Sequence, residues 1–116
     1  MAERPTAVEL LDAVREFLER EVIDAVEGRI AFHTRVAANV LAIVERELTL
    51  GPAHAAAERA RLAALVGEDG TLDDLRRALA AAIRGGELDA RRAEVLEALR
   101  ATAADALAVA NPGYRG

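Results

Sequence analysis

The sequence contains no Cys, Ser, Lys, Gln or Trp, and each absence removes a chemistry. Without Cys or Ser there is no thiol or serine nucleophile, and without Lys no Schiff base and no phosphate loop ending in Gly-Lys-Ser/Thr. Disulfides and thiolate metal sites are excluded with the cysteines. Aromatics amount to 3% of the chain, and prolines number three. No run approaches the roughly 20 apolar residues that span a bilayer, and the N-terminus has no apolar stretch behind a basic region. This predicts a soluble protein of the bacterial cytoplasm.

What is present is alanine, arginine, acid and branched aliphatics. The 116 residues include 28 alanines, and Leu, Val, Ile and Phe together supply 31 larger apolar side chains. That is enough for one helical core, so a single domain over residues 1–116 is expected, with a short tail from about residue 111. All 15 basic residues are Arg, a codon preference of GC-rich genomes rather than a functional sign. They are interleaved with 20 acidic residues for a net charge of −5. Such a surface offers no basic face for counterion release, so nucleic-acid binding is not expected.

The apolar spacing is helical throughout. Thr6 and Glu9 form a capping-box pattern, after which Val8, Leu11, Val14, Phe17, Leu18, Val22, Ala25 and Val26 recur at three- and four-residue steps, with Gly28 placed to end the helix. A second helix is predicted over about Ile30–Leu50, stopped by Gly51-Pro52. Its apolar residues cover about half the circumference, wider than the ~100° stripe of a surface helix. An Ala-rich third helix runs from about Pro52 to Val66. A fourth, capped by Thr71, ends at Gly85-Gly86. A fifth, capped by Asp89, reaches about Ala110, where Asn111-Pro112-Gly113 stops it. No segment alternates as a half-buried strand would. The expected fold is therefore all-α, a four- or five-helix antiparallel bundle.

Two polar residues fall on apolar stripes. Glu21 projects among Val14, Phe17, Leu18 and Ala25, and His33 among Val36, Ala37, Val40 and Val44. A hairpin turning near Gly28 would bring Glu21 level with His33 and Arg35, with Asp24 and Arg29 nearer the turn and Asn39 one turn beyond Arg35. Two readings apply to Glu21, Arg29, His33, Arg35 and Asn39: a small acid–base or anion-binding constellation, or a buried ion pair that satisfies desolvated groups. Glu21 is expected within bonding reach of His33 or Arg35. His54 and Glu58 lie one turn apart with no third ligand indicated, so no metal site is expected, and no cofactor. Asp69, Asp73 and Asp74 lack the regular oxygen spacing of a calcium loop. Arg92 is expected to snorkel from the apolar face of the last helix, and Tyr114 to pack its ring on the bundle.

Arg4-Pro5-Thr6-Ala7, the stretch from Gly28 to Asn39 (Gly-Arg-Ile-Ala-Phe-His-Thr-Arg-Val-Ala-Ala-Asn), Arg46-Glu47-Leu48 and Asn111-Pro112-Gly113-Tyr114 together resemble a bacterial family of short proteins of unknown function. The resemblance spans nearly the whole chain. Members are often encoded beside acyl-CoA dehydrogenases and aminoglycoside-phosphotransferase-like kinases, which implies an accessory role in that metabolism. The family supplies no catalytic motif to carry over.

Three functions compete. A non-enzymatic accessory or interaction protein fits the broad apolar arc of the second helix and the scarcity of nucleophiles, and implies a homodimer through the first two helices or a metabolic-enzyme partner. A bundle binding an acyl or phosphorylated metabolite through Arg29, His33 and Arg35 is the alternative. An enzyme using Glu21 and His33 as acid and base comes third.

Overall fold

Thr6 begins the first helix by accepting from the Glu9 amide at 3.1 Å, while the Glu9 carboxylate accepts from the Thr6 amide at 3.1 Å. Two otherwise orphaned donors are thereby satisfied, as the sequence pattern requires. The computed structural model describes residues 3–114. It contains α1 (Ala7–Phe17), a π-helical segment (Leu18–Val22), α2 (Ile23–Ala25), α3 (Gly28–Val66), α4 (Leu72–Arg84), a 3₁₀ turn (Asp89–Arg91) and α5 (Arg92–Ala110). No strand occurs among the described residues.

Two boundaries differ from expectation. Gly28 does not end the first helix; at φ +59° it opens α3, after Val26 has turned extended at φ −131° and ψ 162°. Gly51-Pro52 does not separate two helices either, because α3 runs for 39 residues with Pro52 inside it. Proline removes one backbone donor and disfavours the helical conformation of its predecessor, chiefly through that residue's Cβ. Gly51 has no Cβ, so the second obstacle is weakened. Gly67, at φ +74°, closes α3 by donating to the Ala63 carbonyl at 2.9 Å. Thr71 caps α4 by accepting from the Asp74 amide, whereas Asp89 makes no capping bond and the 3₁₀ turn carries the chain into α5.

The chain forms two compact units, residues 1–50 and 51–116, with α3 running through the boundary. In the second unit, Leu62 and Leu65 of α3, Leu75, Leu79 and Ala82 of α4, Leu88, and Val95 and Ala98 of α5 form one buried core. Leu75 is fully buried. Each Leu or Val so removed from water contributes roughly 1.5–3 kcal/mol before chain entropy is subtracted.

The first unit is built differently. α1 buries no residue, and the face of α3 turned inward carries Ala31, Thr34 and Ala38. The Thr34 hydroxyl donates to the Ile30 carbonyl at 2.7 Å, so it is satisfied within its own helix. Meanwhile Leu10, Val14 and Phe17 on α1, and Phe32, Val36, Val40, Val44 and Leu48 on α3, lie exposed.

Candidate functional site

α3 turns the small residues Ala31, Thr34 and Ala38 inward, and a groove of about 390 Å³ lies on the first unit. Leu18, Glu19 and Ile23 form one wall; Thr34, Arg35, Ala38, Asn39 and Ala42 form the floor and the other wall. Alanine at three-to-four-residue spacing explains the floor, since no side chain there is long enough to fill the space. The first wall includes the π-helical segment, a geometry that often marks functional sites because an inserted residue widens the turn.

Arg15 closes one side of the groove. Its guanidinium donates to Glu45 at 2.7 Å across the helix pair, to Glu19 at 2.8 Å and to Asp12 at 2.5 Å. Hydrogen bonds donated to Glu45 and Glu19 raise the Arg15 pKa above its ordinary range, and the bond from Arg15 holds the Glu45 carboxyl below its own. This cluster was not anticipated from the sequence. Its local half was visible as Asp12, Arg15 and Glu19 at i,i+3 and i,i+4 spacing; Glu45 was not, because the hairpin register is not fixed by spacing alone.

The expected pairing of Glu21 with His33 or Arg35 does not form. Glu21 is exposed in the π-helical segment, and its carboxylate has no ion pair or hydrogen bond among the described residues. The register is the cause. Arg15 meeting Glu45 places the hairpin's midpoint near residue 30, two residues beyond the expected turn, which sets Glu21 level with Asn39 rather than with His33 or Arg35. The faces differ as well: Leu11, Arg15, Leu18 and Val22 are drawn inward, while the Val14 and Phe17 face shared by Glu21 is open to solvent. His33 is exposed on the outer stripe of α3 with its ring edge-on to Phe32 at 5.4 Å. Arg29 is exposed at the start of α3. Of the five candidates the structure gathers only Arg35 and Asn39 in the groove, both exposed and neither bonded to another described residue.

The second unit carries its own polar contacts. Arg76 makes a two-pronged bond to Glu58 at 2.7 and 3.0 Å, which satisfies the buried Glu58 carboxylate. His54 and Arg61 both approach Asp105 at 3.6 Å, and Arg61 donates to the Thr102 hydroxyl at 3.2 Å. Asp69 accepts from the Gly70 amide and from Arg59, which hold its pKa below the usual carboxylate value. Among the described residues no three His, Asp or Glu side chains gather as a metal would need. Arg92 is exposed at the edge of a groove of about 470 Å³ lined by Ile83, Leu88 and Val95. Tyr114 is exposed too, contrary to the expectation that its ring would pack.

A family model described as a domain of unknown function, DUF6285, matches residues 24–114. The chain belongs to the DUF6285 family. The matched stretch contains all of α3, α4 and α5, so the DUF6285 segment includes Arg29, His33, Arg35 and Asn39 but begins after Arg15 and Glu21. No curated protein and no solved structure gives a significant match. No helix among the described residues is long and apolar enough to cross a membrane.

Proposed function

We propose that this DUF6285 protein is a non-catalytic helical interaction domain of the bacterial cytoplasm, working through the uncovered apolar side chains of its first unit. One observation carries the reading: nine large apolar residues of that unit are exposed, eight of them in two stripes at helical spacing, and no large one is buried among its described residues. Soluble monomers rarely expose apolar patches beyond a few hundred Å², and larger ones mark binding surfaces. On this reading each unit is an antiparallel helical assembly, and the second supplies the stability that the first lacks. The partner is a second copy or a metabolic enzyme; the family resemblance implies an acyl-CoA dehydrogenase or an aminoglycoside-phosphotransferase-like kinase.

The test is to replace Val36 and Val44 together by Glu and compare the complexes recovered with each chain under native conditions. The wild type should be recovered in a stoichiometric complex, with itself or with another protein, which the variant loses while keeping its helical circular dichroism. Identical recovery by both chains would count against the domain acting through this stripe.

A second reading has its own support. Arg35 and Asn39 present unpaired donors beside the small-residue groove, where a carboxylate or phosphate bearing a short apolar group would fit; His33 and Arg29 would lie outside it. Thermal-shift screening of such anions, with Arg35→Ala as control, separates this reading from the first. An enzyme using Glu21 and His33 as acid and base has lost the proximity it needed.

A further inference from the structure

Resting on the interaction reading, we propose that the outer stripe of α3 pairs with the same stripe of a second copy, antiparallel about a two-fold axis through Val40. Phe32, Val36, Val40, Val44 and Leu48 recur every four residues, and all are exposed, from 37% at Val44 to 61% at Phe32. Residues four apart form the ridges that interdigitate when two helices cross at about −50°. Five aliphatic or aromatic side chains, each about half exposed, leave on the order of 500 Å² per copy, so that the pair reaches the roughly 1,000 Å² of a specific interface.

The order of side chains selects the occupant. The stripe is close to a palindrome in size about Val40: Val36 and Val44 stand four positions to either side, and the larger Phe32 and Leu48 stand eight. An antiparallel two-fold therefore sets Val36 against Val44 of the second copy and Phe32 against its Leu48. Helices crossing at an angle diverge from the centre, and the larger residues fall where longer reach is needed. Three positions from the axis, the small Ala37 would face Ile43 of the second copy.

Charge selects the direction. His33 and Glu47 lie seven positions to either side of Val40, both exposed, and within about 20° of it in projection at 100° per residue. The antiparallel axis puts each His33 beside the other copy's Glu47, where an imidazole N–H can donate to a carboxylate. A parallel pair would put Glu47 beside Glu47, a like-charge juxtaposition that interfaces avoid. This arrangement explains why a histidine stands on an otherwise apolar stripe.

The chain has no cysteine, so a single one introduced into the full-length protein is unique. Val40→Cys, treated with a short bis-maleimide, should give mostly covalent homodimer. Val36→Cys and Val44→Cys should each link at least tenfold less alone, yet link efficiently when mixed. Val40→Glu should sediment as monomer with its helical circular dichroism intact, against a wild-type dimer at tens of micromolar. Self-linkage at 36 and 44 as strong as at 40 would signify a parallel pair and overturn the proposed axis. A monomeric wild type whose cysteine at 40 reacts as fast as a free thiol would overturn the second copy while leaving a different protein as occupant. A monomer whose cysteine is shielded would mean that the chain covers its own stripe, and the interaction reading would fall with the dimer.

Discussion

The two units use similar residues to opposite ends. The second turns Leu62, Leu65, Leu75, Leu79, Leu88 and Val95 inward around a single centre, while the first buries only Ala31, Thr34 and Ala38 among its described residues, half-covers Leu11, Leu18 and Val22, and leaves Val14, Phe17, Phe32, Val36, Val40 and Val44 outside. The amount of apolar side chain does not distinguish them; the number of helical faces available to cover it does. Two helices offer one mutual contact, and three can enclose a core. A helical hairpin with apolar stripes on its outer faces leaves uncovered what a third helix would enclose, and the interaction proposed for this protein uses that surface.

The comparison breaks most visibly under truncation. Leu75→Ala empties a fully enclosed position and should destabilise the second unit by about 2–5 kcal/mol. Val40→Ala, measured in dilute solution where any self-association is absent, should fall within about 0.5 kcal/mol of wild type. Denaturant melts of both variants check this contrast. A second test enlarges rather than truncates. Ala31 is buried on the inward face of α3 and does not line the groove, so Ala31→Leu should cost roughly 1–3 kcal/mol by overpacking that face, whereas Ala37→Leu, on an exposed face, should be close to neutral. Equal melting of the two would show that the hairpin contact is not the small-residue face.

Much of this fold could be read from the residues. The capping box at Thr6 and Glu9, the Thr71 cap and the stop at Gly67 all act locally, and local chemistry survives folding unchanged. The Gly51-Pro52 break did not materialise because a glycine before the proline tolerates the helical conformation that most residues there resist. The groove was half legible. Arg35 and Asn39 share a face by spacing alone, but assigning Glu21 and His33 to them assumed that the largest apolar stripes of α1 and α3 face each other. The helices instead approach through alanine and threonine, which allow closer contact, and the valine stripe with His33 is turned away. No periodicity reveals which of two apolar faces is covered first.

Ion pairs sharpen the comparison by smaller amounts. Glu58 is buried and bonded twice by Arg76, so Glu58→Ala should cost the second unit about 1–2 kcal/mol in a denaturant melt. Its counterpart in the first unit, Glu45, is also bonded twice by an arginine and is about as covered as Glu58, so the same substitution should cost a similar amount. The smallest effect is that of pH. Arg15 holds the Glu45 carboxyl below its ordinary value of 4.5, and Arg91 does the same for Glu94 in the second unit. A carboxyl whose folded pKa is depressed stabilises the fold above its unfolded value, and that contribution is lost as pH falls through the folded value. Both units should therefore weaken only below about pH 4.5, and Glu45→Gln should remove that acid dependence from the first unit alone. Side-chain carboxyl titrations by nuclear magnetic resonance give the two values directly.

The central claim, that the first unit is incomplete until a second copy covers it, is tested most directly by hydrogen exchange at increasing protein concentration. Amides of residues 28–50 should gain protection as concentration rises through the dimerisation range, while those around Leu62, Leu75 and Val95 stay constant, since their core is already closed. Protection of residues 28–50 that is high and independent of concentration would contradict the account.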